Sequence, residues 1–180
     1  MEKKKNIINN NSFKKNIVIA FALFLLGNIL GIVSKILDIY TTNIGNMFSE
    51  LSIWILFGVL ISIYSKKPIQ ASCNVFLFCI GMLLTYYITA ELTTSVYSMT
   101  FICGWIIFSL FSPLFAYITW YSRKRNILAN IISIGIIFVT IFASILIFNG
   151  LKIYDYIIIF ILCYILFIKK YKNNCNEIKS

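Results

Sequence analysis

The chain has 180 residues, of which 60% are hydrophobic and only 12% charged, with a formal net charge of +10. Soluble domains carry charge on roughly a quarter of their residues, so a water-soluble globular fold is excluded. The Lys and Arg residues lie in short clusters between long uncharged runs, which excludes a nucleic-acid-binding face and is the pattern of membrane topology.

The length suits one compact unit, with no Pro-, Gly- or Ser-rich linker. No histidine is present, so the chain lacks the commonest general base and the commonest transition-metal ligand. Histidine triads and histidine-based metal hydrolases are thereby ruled out. Cys73, Cys79, Cys103, Cys163 and Cys175 form no CxxC pair, and all but Cys175 lie in hydrophobic runs where cysteine acts as a small apolar residue. No metal site, cofactor or disulfide framework is expected. Richness in Ile, Asn, Lys, Phe and Tyr points to an AT-rich bacterial genome.

A helix rises about 1.5 Å per residue, so about 20 apolar residues cross a hydrocarbon core of roughly 30 Å. Six segments approach that requirement, which predicts an all-α polytopic transmembrane bundle. A basic, disordered tail over 1–15 precedes the first span, 16–34, which is uncharged and lacks a following A-x-A cleavage pattern. The second span, 47–65, is short and carries Glu50 in its first turn; a re-entrant segment is the alternative. Pro68 opens the third span, 68–91, at the first-turn position proline favours. A polar turn, Leu92 to Ser98, leads to the fourth, 99–121. The fifth, 126–148, ends at the Asn149-Gly150 turn. In the sixth, 151–168, Lys152 and Asp155 stand at i,i+3 spacing, where they can pair near the interface. A second basic tail occupies 169–180.

Cytoplasmic segments carry an excess of Lys and Arg. With the N-terminus inside, all but two of the 16 basic residues fall on the cytoplasmic side, Lys35 and Lys152 being the exceptions. Asp38, Glu50, Glu91 and Asp155 sort to the outer side. Tyr86, Tyr87, Tyr154 and Tyr156 then mark the outer interface, and Tyr64, Trp120, Tyr121 and Tyr171 the inner one. The expectation is a bacterial plasma-membrane protein with six spans and both termini in the cytoplasm.

On the first helix Ala20, Gly27, Gly31 and Ser34 share a face, and Gly27 to Gly31 is a small-xxx-small pattern that lets another backbone approach closely. That face either packs inside the molecule or docks a partner membrane protein. Asn126, Asn130, Ser133, Thr140 and Ser144 align on the fifth helix, and Asn74, Gly81, Thr85 and Thr89 on the third. Both stripes suit interhelical hydrogen bonds, or the lining of a small-molecule cavity. Pro113 removes the hydrogen bond to the Ser109 carbonyl and should kink the fourth helix.

Ionisable residues near a span are costly and are therefore functional candidates. Glu50 and Glu91, with Trp54, Trp105, Tyr86, Tyr87 and Asn28 at similar depth, could form an outward-facing pocket for a cationic or polar ligand. The alternative is solvated carboxylates that mark helix ends. Arg123-Lys124-Arg125 reads as a topology determinant, or as a site for anionic lipid headgroups. Neither glutamate has a metal motif, nucleophile elbow or Gly-rich loop beside it, so no catalysis is expected.

From Asn46 to Glu91 the sequence, with its Glu50-to-Trp54 helix start, Lys66-Lys67-Pro68 and Thr85-Tyr86-Tyr87, resembles small uncharacterised multi-pass integral membrane proteins of bacteria. That resemblance implies the membrane class and no activity. In length, six spans and cytoplasmic termini the chain is also similar to S components of energy-coupling-factor vitamin transporters. This second resemblance implies a partner docked through Ala20, Gly27 and Gly31 and a lid formed by Lys35 to Ser49. Two functions follow as expectations. One is a non-enzymatic structural or accessory protein acting through helix packing, with the lipid bilayer and another membrane protein as partners. The other is a small-solute binding or transport subunit, which a wet, polar cavity holding Glu50 or Glu91 would favour.

Overall fold

The computed structural model describes residues 2–41, 47, 48, 50–94, 99–147 and 150–169, and every described element is helical. In chain order these are α1 (Glu2–Tyr40), α2 (Leu51–Tyr64), α3 (Pro68–Leu92), α4 (Met99–Tyr121), α5 (Ile127–Ile147) and α6 (Ile153–Cys163), the last continued by a π-helical segment, Tyr164–Lys169.

Side-chain placement identifies the solvent. Ser62, Asn74, Ser109, Ser133, Thr140 and Ser144 are buried, whereas Phe138, Phe160, Ile131 and Leu146 stand more than half exposed. In water so much exposed apolar surface would drive association. In lipid, small and polar residues belong between helices and large apolar ones outside. Four helical stretches, Lys14–Tyr40, Pro68–Leu92, Ile102–Tyr121 and Ile127–Leu146, are long and apolar enough to cross a membrane. Leu51–Tyr64 and Ile153–Ile168 are shorter apolar helices. The molecule is an all-α bundle of membrane class.

α1 is longer than the expected 16–34 at both ends. It begins at Glu2, so residues 2–15 are helical and not a disordered tail; Glu2, Lys3, Lys4 and Lys5 are all good helix formers. At the other end it continues to Tyr40, where Lys35 and Asp38 pair at 2.9 Å one turn apart. Lys35 to Tyr40 therefore belong to a helix and not to a lid. The rest of that segment at 42–46 and 49, the turn residues 95–98, Asn149, and the tail from 170 with Tyr171 and Cys175 lie outside the described residues. The remaining helices start or stop within a few residues of expectation.

α2, the shortest of the apolar helices bar α6, is also the most central: it packs against α3, α4, α5 and α6. Trp54 and Phe57 of α2 meet Phe78 of α3 with ring centroids 5.8 to 6.1 Å apart, the aromatic heart of the core. α1 lies mainly along α3. There the small residues decide the distance of approach. A Cβ on Gly27 would overlap the Phe78 carbonyl oxygen, and one on Gly31 would overlap the Met82 carbonyl oxygen and the Thr85 hydroxyl. From the opposite side, a Cβ on Gly81 would stand 2.6 Å from the Phe24 carbonyl oxygen. Ser34 is fully buried on the same face of α1, and Ala20 half-buried.

This close approach lets the Thr85 hydroxyl donate to the Asn28 carbonyl oxygen at 2.8 Å, a bond between two helices. Thr85→Val is expected to cost about 0.6 kcal/mol, the usual worth of such a bond in a membrane bundle. Reversible unfolding in mixed micelles checks it; a cost above about 2 kcal/mol would mean that the hydroxyl does more than join α1 to α3.

On α5 the stripe faces inward. The Ser133, Thr140 and Ser144 hydroxyls donate to the carbonyl oxygens of Ala129, Ile136 and Thr140, one turn back on their own helix. Asn126 and Asn130 are exposed near the end of the helix. In α4 the Ser109 carbonyl, deprived of an N–H by Pro113, accepts the Ser112 hydroxyl at 2.8 Å. The Pro113 carbonyl in turn accepts the Ser72 hydroxyl of α3 at 2.8 Å.

Candidate functional site

A helix of 14 residues is about 21 Å long, shorter than the hydrocarbon core. Its unsatisfied terminal backbone groups must therefore find partners within the protein. α2 is held at each end by a polar clasp, and the C-terminal one engages its backbone directly.

At its N-terminal end Glu50 adopts an extended backbone and makes no side-chain bond to its own helix. Its carboxylate, 1% exposed, turns toward the start of α6. Oε1 accepts a hydrogen bond from the Tyr154 hydroxyl at 2.5 Å and pairs with Lys152 Nζ at 2.6 Å. The Lys152 side chain is 41% exposed, so its stem bridges the buried carboxylate and the outside. Lys152 precedes α6, and its bond to Glu50, followed by that to Tyr154, pushes its ammonium above the ordinary lysine range. Asp155, fully buried, accepts the Lys152 backbone N–H at 3.0 Å. The i,i+3 pair read from the sequence is thus corrected: Asp155 caps the helix by binding the backbone of Lys152, while the ammonium goes to Glu50. Sequence spacing shows the first and not the second, because Glu50 and Lys152 meet only through tertiary structure.

At the C-terminal end the Ser65 carbonyl accepts Trp120 Nε1 and Arg123 Nη1, both at 2.9 Å. The Ser65 hydroxyl accepts Asn74 Nδ2 at 3.1 Å and donates to the Ile61 carbonyl at 2.7 Å. Arg123 also lies over the Trp120 ring, 5.1 Å from its centroid. Trp120 was legible only as an interface residue, Arg123 as part of a basic cluster and Ser65 as the end of the second span, and their joint work as a helix C-cap has no sequence signature.

The other pocket candidates are distributed over several contacts. Trp54 is 4% exposed and donates from Nε1 to the Phe48 carbonyl at 2.8 Å. Asn28 donates to the Phe24 carbonyl on its own helix. Tyr86 donates to Asp38 at 3.1 Å, with Lys35 Nζ 5.2 Å from its ring centroid, which ties the C-terminal ends of α1 and α3 together. Tyr87 and Trp105 are partly buried against the core, and Glu91 is exposed at the end of α3.

A cavity of about 470 Å³ lies among α2, α3, α4 and α5. Of the seven candidates Trp54 lines it, and Asn28, Glu50, Tyr86, Tyr87, Glu91 and Trp105 do not. The cavity wall is almost wholly apolar. Among the described residues no group of three or more His, Cys, Asp or Glu side chains is arranged to hold a metal ion.

A family model described as a family of unknown function, DUF6518, matches residues 10–162. No curated protein and no solved structure matches the chain, so the likeness to energy-coupling-factor S components gains no support from these comparisons.

Proposed function

The chain belongs to the DUF6518 family, whose function is unknown, and on its own residues we propose that it is a non-enzymatic integral membrane protein with a structural or accessory role exerted through helix packing. It crosses a bacterial plasma membrane six times, with α1 starting on the cytoplasmic side and the basic residues Lys66, Lys67, Arg123, Lys124 and Arg125 facing the cytoplasm. In this arrangement α2 crosses within the protein, and its two polar clasps stand near opposite interfaces. The supporting observation is the engagement of Glu50, the strongest candidate for ligand binding, with Lys152 and Tyr154 inside the protein.

A wet, polar cavity containing Glu50 or Glu91 would favour the transport reading, and the cavity among α2 to α5 is apolar and contains neither. Docking of a partner through Gly27 and Gly31 is likewise disfavoured, because α3 occupies that face. A partner would meet the opposite side of α1, where Phe21, Ile29 and Ile32 are exposed.

Purification in mild detergent followed by native mass spectrometry tests the reading. The expected result is a protein that retains no polar solute and travels with a membrane partner, released by Phe21→Ala together with Ile29→Ala. A retained polar solute, lost on Glu50→Gln, would overturn it in favour of the binding subunit.

A further inference from the structure

The cavity among α2, α3, α4 and α5 is open to the side and has one strongly charged end. Phe115 and Ile118 of α4 and Val139 of α5 line it while being 49%, 42% and 53% exposed, so its mouth lies between α4 and α5, facing the bilayer. Two of the hydroxyls that reach its wall have their protons engaged within their own helices: Ser62 donates to the Gly58 carbonyl and Ser112 to the Ser109 carbonyl. A polar solute would find little to bond. A hydrocarbon chain would fit a volume of this size, which lies in the ordinary range of ligand cavities.

One end of the cavity is set by Ser62 and Thr119. Ser62 stands one turn before Ser65, and Thr119 one turn before Arg123, and these two residues are bonded to each other at 2.9 Å. The cavity therefore ends beside the connections 65–68 and 122–126. They carry Lys66, Lys67, Arg123, Lys124 and Arg125, all exposed, and contain no carboxylate. Ser122, in the second connection, has a buried hydroxyl with no hydrogen-bond partner. An apolar slot open to the bilayer and ending at a basic rim is complementary to a molecule with a hydrocarbon chain and an anionic head.

We propose that this cavity is a binding site for an anionic phospholipid, with one acyl chain between α4 and α5 against α2 and the headgroup at the Arg123-Lys124-Arg125 connection. The lipid would fill the gap left where α4 and α5 make few contacts with one another, and would act as part of the fold.

The test uses the full chain in detergent, mixed with equal amounts of phosphatidylglycerol and phosphatidylcholine carrying the same acyl chains, and reads retained lipid by native mass spectrometry. Phosphatidylglycerol should be retained about tenfold over phosphatidylcholine. Lys124→Gln with Arg125→Gln should bring the two lipids within about twofold of each other while retention persists. Gly135→Phe should lower retention of both by about tenfold or more, because Gly135 lines the cavity and a Cβ there meets nothing within 4 Å. If the phenylalanine variant does not fold, Gly135→Leu provides the same reading with a smaller side chain. Equal retention of the two lipids by the unaltered protein would overturn the assignment. So would retention indifferent to the folded Gly135 variant, or a preference that survives loss of both charges.

Discussion

Lys152→Met should destabilise the protein by about 3 kcal/mol or more, and Glu50→Gln by clearly less, although the two residues form one pair. The asymmetry follows from where each side chain can go. Glu50 is 1% exposed, so without the ammonium it keeps only the Tyr154 hydroxyl and is left as a charge without a counter-ion. Lys152 is 41% exposed at its side chain, so without the carboxylate it can turn outward and recover hydration. Unfolding free energies measured in mixed micelles for both variants check this. A further variant, Lys152→Met with Glu50→Leu, should recover most of the loss, because an apolar pair of similar volume replaces a buried ion pair at little cost. If the glutamate variant proves the more damaging, the clasp is not the buried-charge device inferred from these distances.

Gly31→Leu should separate α1 from α3. The added side chain would start in the space held by the Met82 carbonyl and the Thr85 hydroxyl, and backbone cannot yield as a flexible side chain does. Overpacking of this kind costs about 3 kcal/mol, which for a chain of this size is a fall of roughly 6 to 12 °C in unfolding temperature. Gly104→Leu is the matched comparison: a Cβ there meets nothing within 4 Å, and its effect should stay within about 1 kcal/mol. A pair of disulfide-forming cysteines across α1 and α3 should close in the unaltered protein and fail to close with Gly31→Leu. Equal stability of the Gly31 and Gly104 variants would contradict the close approach.

The membrane class and most of the helix positions were legible because they depend on runs of apolar residues, on charge clusters and on Pro68 as a helix start, all local in sequence. Gly27 and Gly31 could be recognised as a packing face for the same reason. That this face meets Gly81 of α3 could not, since small-xxx-small patterns do not name their partner. Glu50 was singled out for a sound reason, the cost of a carboxylate near hydrocarbon, and the structure shows how that cost is met: Lys152 lies 102 residues further along the chain, and the pair exists only once α2 and α6 are adjacent. The seven pocket candidates shared a depth along the membrane normal, but depth is one coordinate of three. Around the bundle they occupy different interfaces, Tyr86 with Asp38 and Trp54 with the core. The helical start of α1 was missed because clustered lysines were taken as a sign of disorder, although lysine is a good helix former.

On the proposed six-span topology the short α2 crosses the membrane within the bundle, so that its two clasps stand at opposite interfaces. Side-specific labelling with a membrane-impermeant maleimide tests it directly, using single cysteines at Lys67→Cys, just beyond the Ser65 clasp, and Ile153→Cys, beside the Glu50 clasp, in a chain whose 5 native cysteines are replaced by serine. Both positions are exposed. Ile153→Cys should label in intact cells and Lys67→Cys only after permeabilisation. Labelling of both from the same side would contradict the six-span topology and make α2 a re-entrant helix.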